Sequence, residues 1–244
     1  MDKIITISLG LFIIILVAFT GIITYTGYTE TAYRNSITGT YTYTCTITTD
    51  APLSNVTFFI PVPADPSGNS PVVSSFSSHA VAGVPAGWDT TLYDTGKSTM
   101  VKVTAPSVIP PEGTSAQHPY TITFSSETSS RTPVDTRDPV GKSAMFRPVQ
   151  VLNGSACPGG RADGSSQCST YTTSVYADYV TAADTTVTIT SAVTGMNNWT
   201  IFEPRSNEYH TDVSTSMRGD THGWAVLNGE LSSGSGTYDI PAGA

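Results

Sequence analysis

An uncharged apolar stretch near the start of the chain constrains its fold more than any other feature. Residues 4–25 contain no Asp, Glu, Lys or Arg, and their few polar residues are Ser, Thr and Tyr. As an α-helix rising about 1.5 Å per residue, the stretch is roughly 33 Å long and crosses a hydrocarbon core of about 30 Å. Ser and Thr hydroxyls bond to carbonyls of their own helix, so they do not oppose burial in lipid. The sequence therefore predicts a transmembrane helix over residues 4–25.

Two alternatives to a retained signal-anchor helix remain open. A cleaved signal peptide has a shorter apolar region of about 7–15 residues, followed by small residues at the cleavage site. A buried core helix of a globular domain rarely runs so far without a charge. We favour the signal-anchor, with residues 1–3 as a cytoplasmic tail, residues 26–39 as a stalk and the C-terminal part outside the cell. The lipid bilayer is then the expected partner of residues 4–25.

Ser and Thr, rather than charged residues, provide the polar surface of the remaining chain. Charged residues make up 12% of the 244 residues, and the formal net charge is −8. A surface that binds nucleic acid needs clustered Lys and Arg, and the sequence has no basic run. We therefore expect no nucleic-acid partner. No pattern in the sequence indicates a cofactor, and we expect none.

Two of the three cysteines lie close together in a segment rich in turn-forming residues. Cys157 and Cys168 are flanked by Pro, Gly, Asp and Ser. A disulfide here is typical of an exterior compartment and stabilises a short loop by about 3 kcal/mol. A metal site is the alternative, but this spacing without a nearby His is poor for zinc. We predict the disulfide, and we place the third cysteine, Cys45, in the core as a small apolar side chain.

From residue 40 onward the apolar residues recur with a period of two. Tyr41, Tyr43, Cys45 and Ile47 alternate with threonines, and residues 54–62 alternate in the same way. Similar short segments, separated by turn residues and without an amphipathic helix, continue to the end of the chain. This pattern is typical of a β-sandwich. We predict a mainly β protein: an N-terminal transmembrane helix followed by an exterior, Ig-like β-sandwich over residues 40–244, with a long irregular insertion at about 125–169.

Three Asn-X-Ser/Thr triplets mark candidate glycosylation sites. They begin at Asn55, Asn153 and Asn198. Such triplets are acceptors only in exported proteins and on exposed loops or strand faces. The alternation of residues 54–62 places Asn55 on the solvent face. Glycosylation is therefore predicted at these three positions.

Two strand-like segments carry a resemblance to a known group of proteins. They are LSNVTFFIPVP at residues 53–63 and GWDTTLYDT at residues 87–95. Together with the anchor, they resemble the start of the ectodomain in uncharacterised single-pass surface proteins of methanogenic and halophilic archaea. The resemblance covers the anchor and roughly the first third of the exterior part. It implies a location at the cell surface and no particular chemistry.

The densest group of titratable residues lies near the C-terminus. Glu208, His210 and Asp212 stand at i, i+2 and i+4, so a strand would place them on one face. A hairpin turning near Gly219 would bring His222 back toward them. A His with carboxylates can bind a divalent metal or act as a base with its orienting partner. We prefer a solvated strand face, and we nominate no catalytic residue.

These observations support three functional hypotheses. The first, which we favour, is a non-enzymatic cell-surface protein with a structural or interaction role in the cell envelope, contacting other surface proteins or itself. The second is an anchored metal-dependent or hydrolytic enzyme that uses the group from Glu208 to His222. The third is a pilin-like filament subunit, whose apolar helix would pack in a fibre core. The usual basic residue and Gly of a pilin processing site do not precede the apolar stretch.

Overall fold

The computed structural model describes residues 2–78, 80–95, 98–155, 157, 166–239 and 241. It contains one long helix, α1 (Asp2–Ser36), and two short ones, α2 (Val73–Ser77) and α3 (Pro139–Lys142). The strands are β1 (Thr38–Thr49), β2 (Leu53–Pro61), β3 (Pro63–Ala64), β4 (Asp89–Asp94), β5 (Thr99–Val108), β6 (Tyr120–Ser130), β7 (Met145–Phe146), β8 (Gln150–Ser155), β9 (Gln167–Val180), β10 (Thr186–Thr200), β11 (Pro204–Arg218) and β12 (Thr221–Gly236).

The predicted apolar helix is present and is longer than the apolar stretch. It is long and apolar enough to cross a membrane, and its apolar window is not buried against the rest of the described chain. The hydroxyls of Thr20 and Thr24 donate to the carbonyls of Leu16 and Thr20, at 2.6 and 2.8 Å. The helix continues without a break to Ser36, so residues 26–36, which we expected to form a stalk, are helical.

One antiparallel sheet of ten strands forms the body of the molecule. The strand order is β4-β5-β2-β9-β12-β11-β10-β1-β6, with β8 also paired to β9, and the sheet is curled into a half-barrel. Strands β10, β11 and β12 are successive hairpin partners, and β9 lies beside β12, which is a Greek-key arrangement. The mainly β prediction is confirmed. The two-layer, Ig-like sandwich is not confirmed, because ten of the strands are joined edge to edge in one sheet and only β3 and β7, of two residues each, pair separately.

The alternation of the sequence determines which side chains of each strand lie on the buried, concave face of the sheet. Tyr43, Cys45 and Ile47 are at most 1% exposed, as are Phe58 and Ile60. These residues lie on the concave face, and the residues between them, Thr44, Thr46 and Phe59, lie on the convex face. Period-two alternation puts every second side chain on the same face, so the inward residues of neighbouring strands form one core.

Two glycines let large rings lie flat against the concave face. Gly195 is paired with Tyr209, and Gly229 is paired with Tyr171. A Cβ atom on Gly229 would lie 2.8 Å from the Tyr171 ring, and a Cβ on Gly195 would also collide with its partner. Glycine inside a strand often marks such a close approach. The missing side chains make room for both rings within the curled sheet.

Two loop-rich segments, joined to each other by the short antiparallel pair of β3 and β7, cover the concave face. We call residues 62–84 and 131–149 together the plug. Phe76 and Phe146 of the plug both contact the ring of Tyr43, at centroid distances of 6.0 and 6.2 Å. The hydroxyl of Tyr209 donates to the carbonyl of Ala144. The region expected to be an irregular insertion, residues 125–169, thus begins as the end of β6 and then contributes Val134, Met145 and Phe146 to the main core.

Helix α1 is attached to one end of the sheet, which we call the base. Thr29, Tyr33 and Ile37, spaced four residues apart, are buried on one helix face. The Tyr33 ring meets Trp199 of β10 edge-on at 5.7 Å. Ser36 donates its hydroxyl to the Thr200 carbonyl at 2.9 Å and accepts from the Thr200 N–H at 2.9 Å. The helix is therefore packed on the base and does not hang from a flexible linker.

Candidate functional site

The convex face carries a continuous row of aromatic side chains, which we call the aromatic row. It comprises Tyr93 on β4, Phe59 on β2, Tyr176 on β9 and Trp224 on β12. Successive ring centroids are 5.1, 5.4 and 5.6 Å apart, and each pair meets close to edge-to-face. Phe59, Tyr176 and Trp224 are in register, because Tyr176 is the pairing partner of both others. The row therefore crosses five neighbouring strands, passing over β5.

The row is exposed and lies in the half of the sheet away from the base. Trp224 is 61% exposed and Tyr93 is 51% exposed. The exposed side chain of Val226, two residues from Trp224 on the same face of β12, extends the apolar surface next to it. Trp224 is three residues from the start of β12, at the end of the sheet opposite the base. A contiguous exposed apolar surface of this kind is typical of an interaction site.

Polar and charged groups border the aromatic row. The ammonium of Lys102 lies 5.9 Å from the centre of the Phe59 ring. His222 Nδ1 lies 2.6 Å from Asp178 Oδ1, directly beside Tyr176 and Trp224 along their strands. Aromatic rings with a polar border are typical of interface centres, where rings supply contact area and polar groups supply orientation. The arrangement can bind a partner, and it offers no nucleophile or paired carboxylates aimed at a common point.

The predicted group of Glu208, His210, Asp212 and His222 does not form one cluster. The first three do share the convex face of β11, and His210 Nε2 lies 3.7 Å from Asp212 Oδ1. His210 is paired with Ser232, however, whereas His222 follows the β11–β12 turn and is paired with Asp178. Ten residues of β12 separate His222 from Ser232, which is about 33 Å of strand. The expected return of His222 toward His210 is therefore wrong.

Asp212 lies next to a second carboxylate, and its described neighbours do not form a set of metal ligands. Partial burial raises the pKa of Asp212; His210 opposes this shift, and the neighbouring Glu230 adds to it. A second carboxylate next to Asp212 disfavours its charged form. Within the described part of the chain, no group of three or more His, Cys, Asp or Glu side chains is placed to hold a metal ion. Among the described residues, the predicted group therefore does not assemble into a metal site.

The predicted disulfide joins Cys157 to Cys168, with a Cα–Cα distance of 5.1 Å. Cys168 is paired with Ser155 of β8, so the bridge lies at the end of the β8–β9 pairing. Cys45 is fully buried, and burial raises the pKa of its thiol to about 12. A thiol with such a pKa is not a nucleophile near neutral pH. Cys45 is a core residue, as predicted.

The three candidate glycosylation residues are all exposed. Asn55 lies on β2 with a positive φ of 55°, at an irregularity in the pairing of β2 with β9. Asn153 lies on the short strand β8, and Asn198 lies near the end of β10. Their exposure is compatible with modification, which stays a prediction.

The aromatic row is the feature that the sequence analysis missed. The outward position of Phe59 follows from the alternation of β2, and those of Tyr176 and Trp224 follow from their own strands. No single strand predicts a row, because the row depends on which strands are neighbours and on the register of their pairing. Comparison adds nothing further: no protein-family model, curated protein or solved structure gives a significant match to this chain.

Proposed function

We propose that this protein is a membrane-anchored cell-surface protein with a structural or interaction role in the cell envelope. Helix α1 holds it in the bilayer, and the half-barrel stands outside the membrane. The aromatic row is its contact surface for another surface protein or a second copy. The observation that carries the proposal is the uncovered apolar surface of α1, whose described side chains from residue 5 to residue 28 are exposed. Lipid is the environment in which such a surface is stable.

The disulfide supports an exterior location for the half-barrel. Bonds of this kind persist in oxidising compartments and are rare in the cytosol. The low share of charged residues and the three exposed Asn-X-Ser/Thr triplets agree with this location. The resemblance of residues 53–63 and 87–95 to archaeal surface proteins points in the same direction.

The anchoring part of the proposal is tested by extraction and protease treatment of intact cells. The full-length chain is expected in the membrane pellet after alkaline washing and is expected to be degraded by added protease. Replacing Leu16→Arg and Val17→Arg together is expected to release it, because each charge at the middle of a spanning helix costs about 2.5–3.5 kcal/mol on insertion scales. The exposed double substitution Trp224→Arg and Val226→Arg serves as a control. Release of the unaltered chain, or its protection from protease, would contradict the proposal.

The interaction part is tested by photocrosslinking in cells. A photoreactive phenylalanine analogue at position 224 is expected to attach to a second polypeptide. The same analogue at Glu127, which is exposed on the convex face of the opposite edge strand β6, is expected to give little product. Equal products at both positions would show that the aromatic row has no special role.

The rigid junction of α1 with the base favours a second candidate, a pilin-like filament subunit. A filament core buries apolar helices against one another. A continuous helix from Asp2 to Ser36 would hold the half-barrel of each subunit at a fixed distance from that core. Intact mass measurement of the native protein tests this candidate, since a pilin loses its leader. Electron microscopy of the native envelope shows whether filaments containing the chain are present.

A further inference from the structure

The turn between β10 and β11 presents an aromatic side chain at the base of the sheet. Phe202 lies in this turn and is 65% exposed. Its ring stacks against Tyr25 at a centroid distance of 6.1 Å and against Tyr28 at 5.6 Å. Tyr25 is the last residue of the predicted transmembrane helix, residues 4–25. Phe202 is therefore level with the point where α1 would leave the hydrocarbon of a membrane.

An open apolar groove continues from Phe202 along the helix toward the middle of the span. The groove has a volume of about 700 Å³. Its helix side is formed by small or apolar residues, Val17, Thr20, Gly21 and Thr24. Val17 precedes Tyr25 by eight residues, which places it about 12 Å deeper along the helix. A groove at this depth opens into the acyl-chain region when α1 spans a bilayer.

The position of Phe202 relative to α1 is set by contacts on the residues just before it. The Trp199 side chain is 2% exposed and packs against Tyr33. Both polar groups of the Thr200 backbone are bonded to Ser36, and Ile201 packs on the same small cluster. The turn therefore cannot swing away from the helix without breaking these contacts.

We propose that the β10–β11 turn is a second membrane contact. Phe202 lies with Tyr25 and Tyr28 in the interfacial layer of the bilayer, and lipid acyl chains fill the groove beneath it. Aromatic rings are enriched at this level of membrane proteins, because a ring is better accommodated there than in water. Glu203, the next residue, is paired with Arg205 at 3.4 Å and belongs to the headgroup side. This inference rests on the proposed function, that α1 spans a membrane.

The contact sets the orientation of the whole half-barrel. The base faces the bilayer, and β12 carries the aromatic row away from it. Trp224 lies twelve residues along β12 from Gly236 at the base, which is roughly 40 Å of strand. If a flexible stalk joined the helix to the half-barrel, the distance between the aromatic row and the bilayer would vary. With two contacts at the membrane, the aromatic row is presented away from the lipid.

Spin labelling of the full-length chain in phosphatidylcholine vesicles tests the proposal. A label is attached to a cysteine introduced by Phe202→Cys, and its collision rates with oxygen and with a water-soluble nickel complex are measured. Native Cys45 is buried, and Cys157 and Cys168 are bonded to each other, so the introduced thiol is the one that reacts. Thr20→Cys is the control inside the span. Arg218→Cys, exposed at the opposite end of β11, is the control in water.

The label at position 202 is expected to collide with oxygen several-fold more often than the label at 218, and less often with the nickel complex. Water-like values at 202 beside lipid-like values at 20 would overturn the second contact and leave the anchor intact. Low collision rates with both reagents at 202 would also overturn it, because they would show a protein partner in the groove. Water-like values at 20 would overturn the anchor itself and this inference with it.

Discussion

At the scale of single residues, adjacent aromatic side chains have opposite roles. Phe58 is fully buried on the concave face and packs against Tyr179 at 5.9 Å. Phe59, the next residue, is on the convex face and belongs to the aromatic row. Phe58 is surrounded by apolar neighbours, so its removal leaves a cavity. Phe59 is partly solvated, so its removal mainly deletes contacts with Tyr93 and Tyr176.

This difference predicts unequal costs for two neighbouring substitutions. Phe58→Ala is expected to lower the free energy of unfolding by about 3–5 kcal/mol. Phe59→Ala is expected to lower it by about 1–2 kcal/mol, because each lost aromatic contact is worth about 0.5–1.5 kcal/mol. Urea denaturation of the full-length chain in detergent measures both values. Similar losses for the two variants would mean that the aromatic row is part of the core.

At the scale of elements, the last two turns of α1 belong to the β-domain. Thr29, Tyr33 and Ile37 are buried, whereas the side chains that the structure describes before Thr29 are exposed. The Arg34 and Glu30 side chains, one turn apart, form an ion pair at 2.7 Å on this helical segment. The apolar cluster of Tyr33, Ile37 and Trp199 is separate from the main core. The junction can therefore be weakened without disturbing the sheet.

Trp199→Ala is expected to loosen this junction selectively. Truncating a buried Trp costs about 3–5 kcal/mol, and most of that loss falls on the packing of α1 against β10. Backbone amides of residues 29–37 are expected to exchange with deuterium at least about tenfold faster, since about 1.4 kcal/mol corresponds to a factor of ten. Exchange in the middle of β10 is expected to stay unchanged. Trp224→Ala is the matched control, and unchanged exchange at residues 29–37 in Trp199→Ala would contradict the prediction.

At the scale of the whole molecule, the plug closes a sheet that does not close on itself. Helix α2 contacts both edge strands, β4 and β6. The backbone of Ala82 exchanges two hydrogen bonds with Ser125 of β6, at 2.9 and 3.0 Å. Phe76 of α2 is 3% exposed and packs on Tyr43 in the centre of the concave face. The plug thus protects both the core and part of the β6 edge, which would otherwise be open to pairing with another chain.

Phe76→Ala is expected to open the half-barrel as well as destabilise it. The loss of a buried Phe lowers the free energy of unfolding by about 3–5 kcal/mol. Because the concave face becomes accessible, binding of a dye that fluoresces on apolar surfaces is expected to rise under native conditions. Ser77→Ala, which removes an exposed hydroxyl bonded to Val73 in the same helix, is the control. Unchanged dye binding in Phe76→Ala would show that the plug does not shield the core.

Much of the fold could be predicted because it depends on local patterns. The inward positions of Tyr43, Cys45 and Ile47 follow from alternation alone, and the disulfide follows from two nearby cysteines. The sandwich was predicted because alternation looks the same in any strand with one buried face. The sequence predicts an irregular insertion at about 125–169 because the buried residues there, such as Val134 and Phe146, follow no period. Contacts with the sheet, and not a local pattern, fix the conformation around these two residues.

The candidate site was harder to predict because it is made of strands that are distant in sequence. Glu208, His210 and Asp212 share one face by their spacing, and the structure keeps them together. His222 is separated from them by the register of a hairpin, and Phe59 is brought to Tyr176 and Trp224 by pairings across long stretches of chain. A one-residue change in register would move these side chains to the other face.

The sequence by itself determined that an apolar helix precedes a β-rich part, which side chains face inward and which cysteines pair. These properties depend on the residues of one segment and on elementary periodicity. Only the tertiary structure decided that the strands form one curled sheet, that α1 packs on its base and that four aromatic rings make a row on its outer face. These depend on strand order and register, which arise when distant segments bury their apolar faces together.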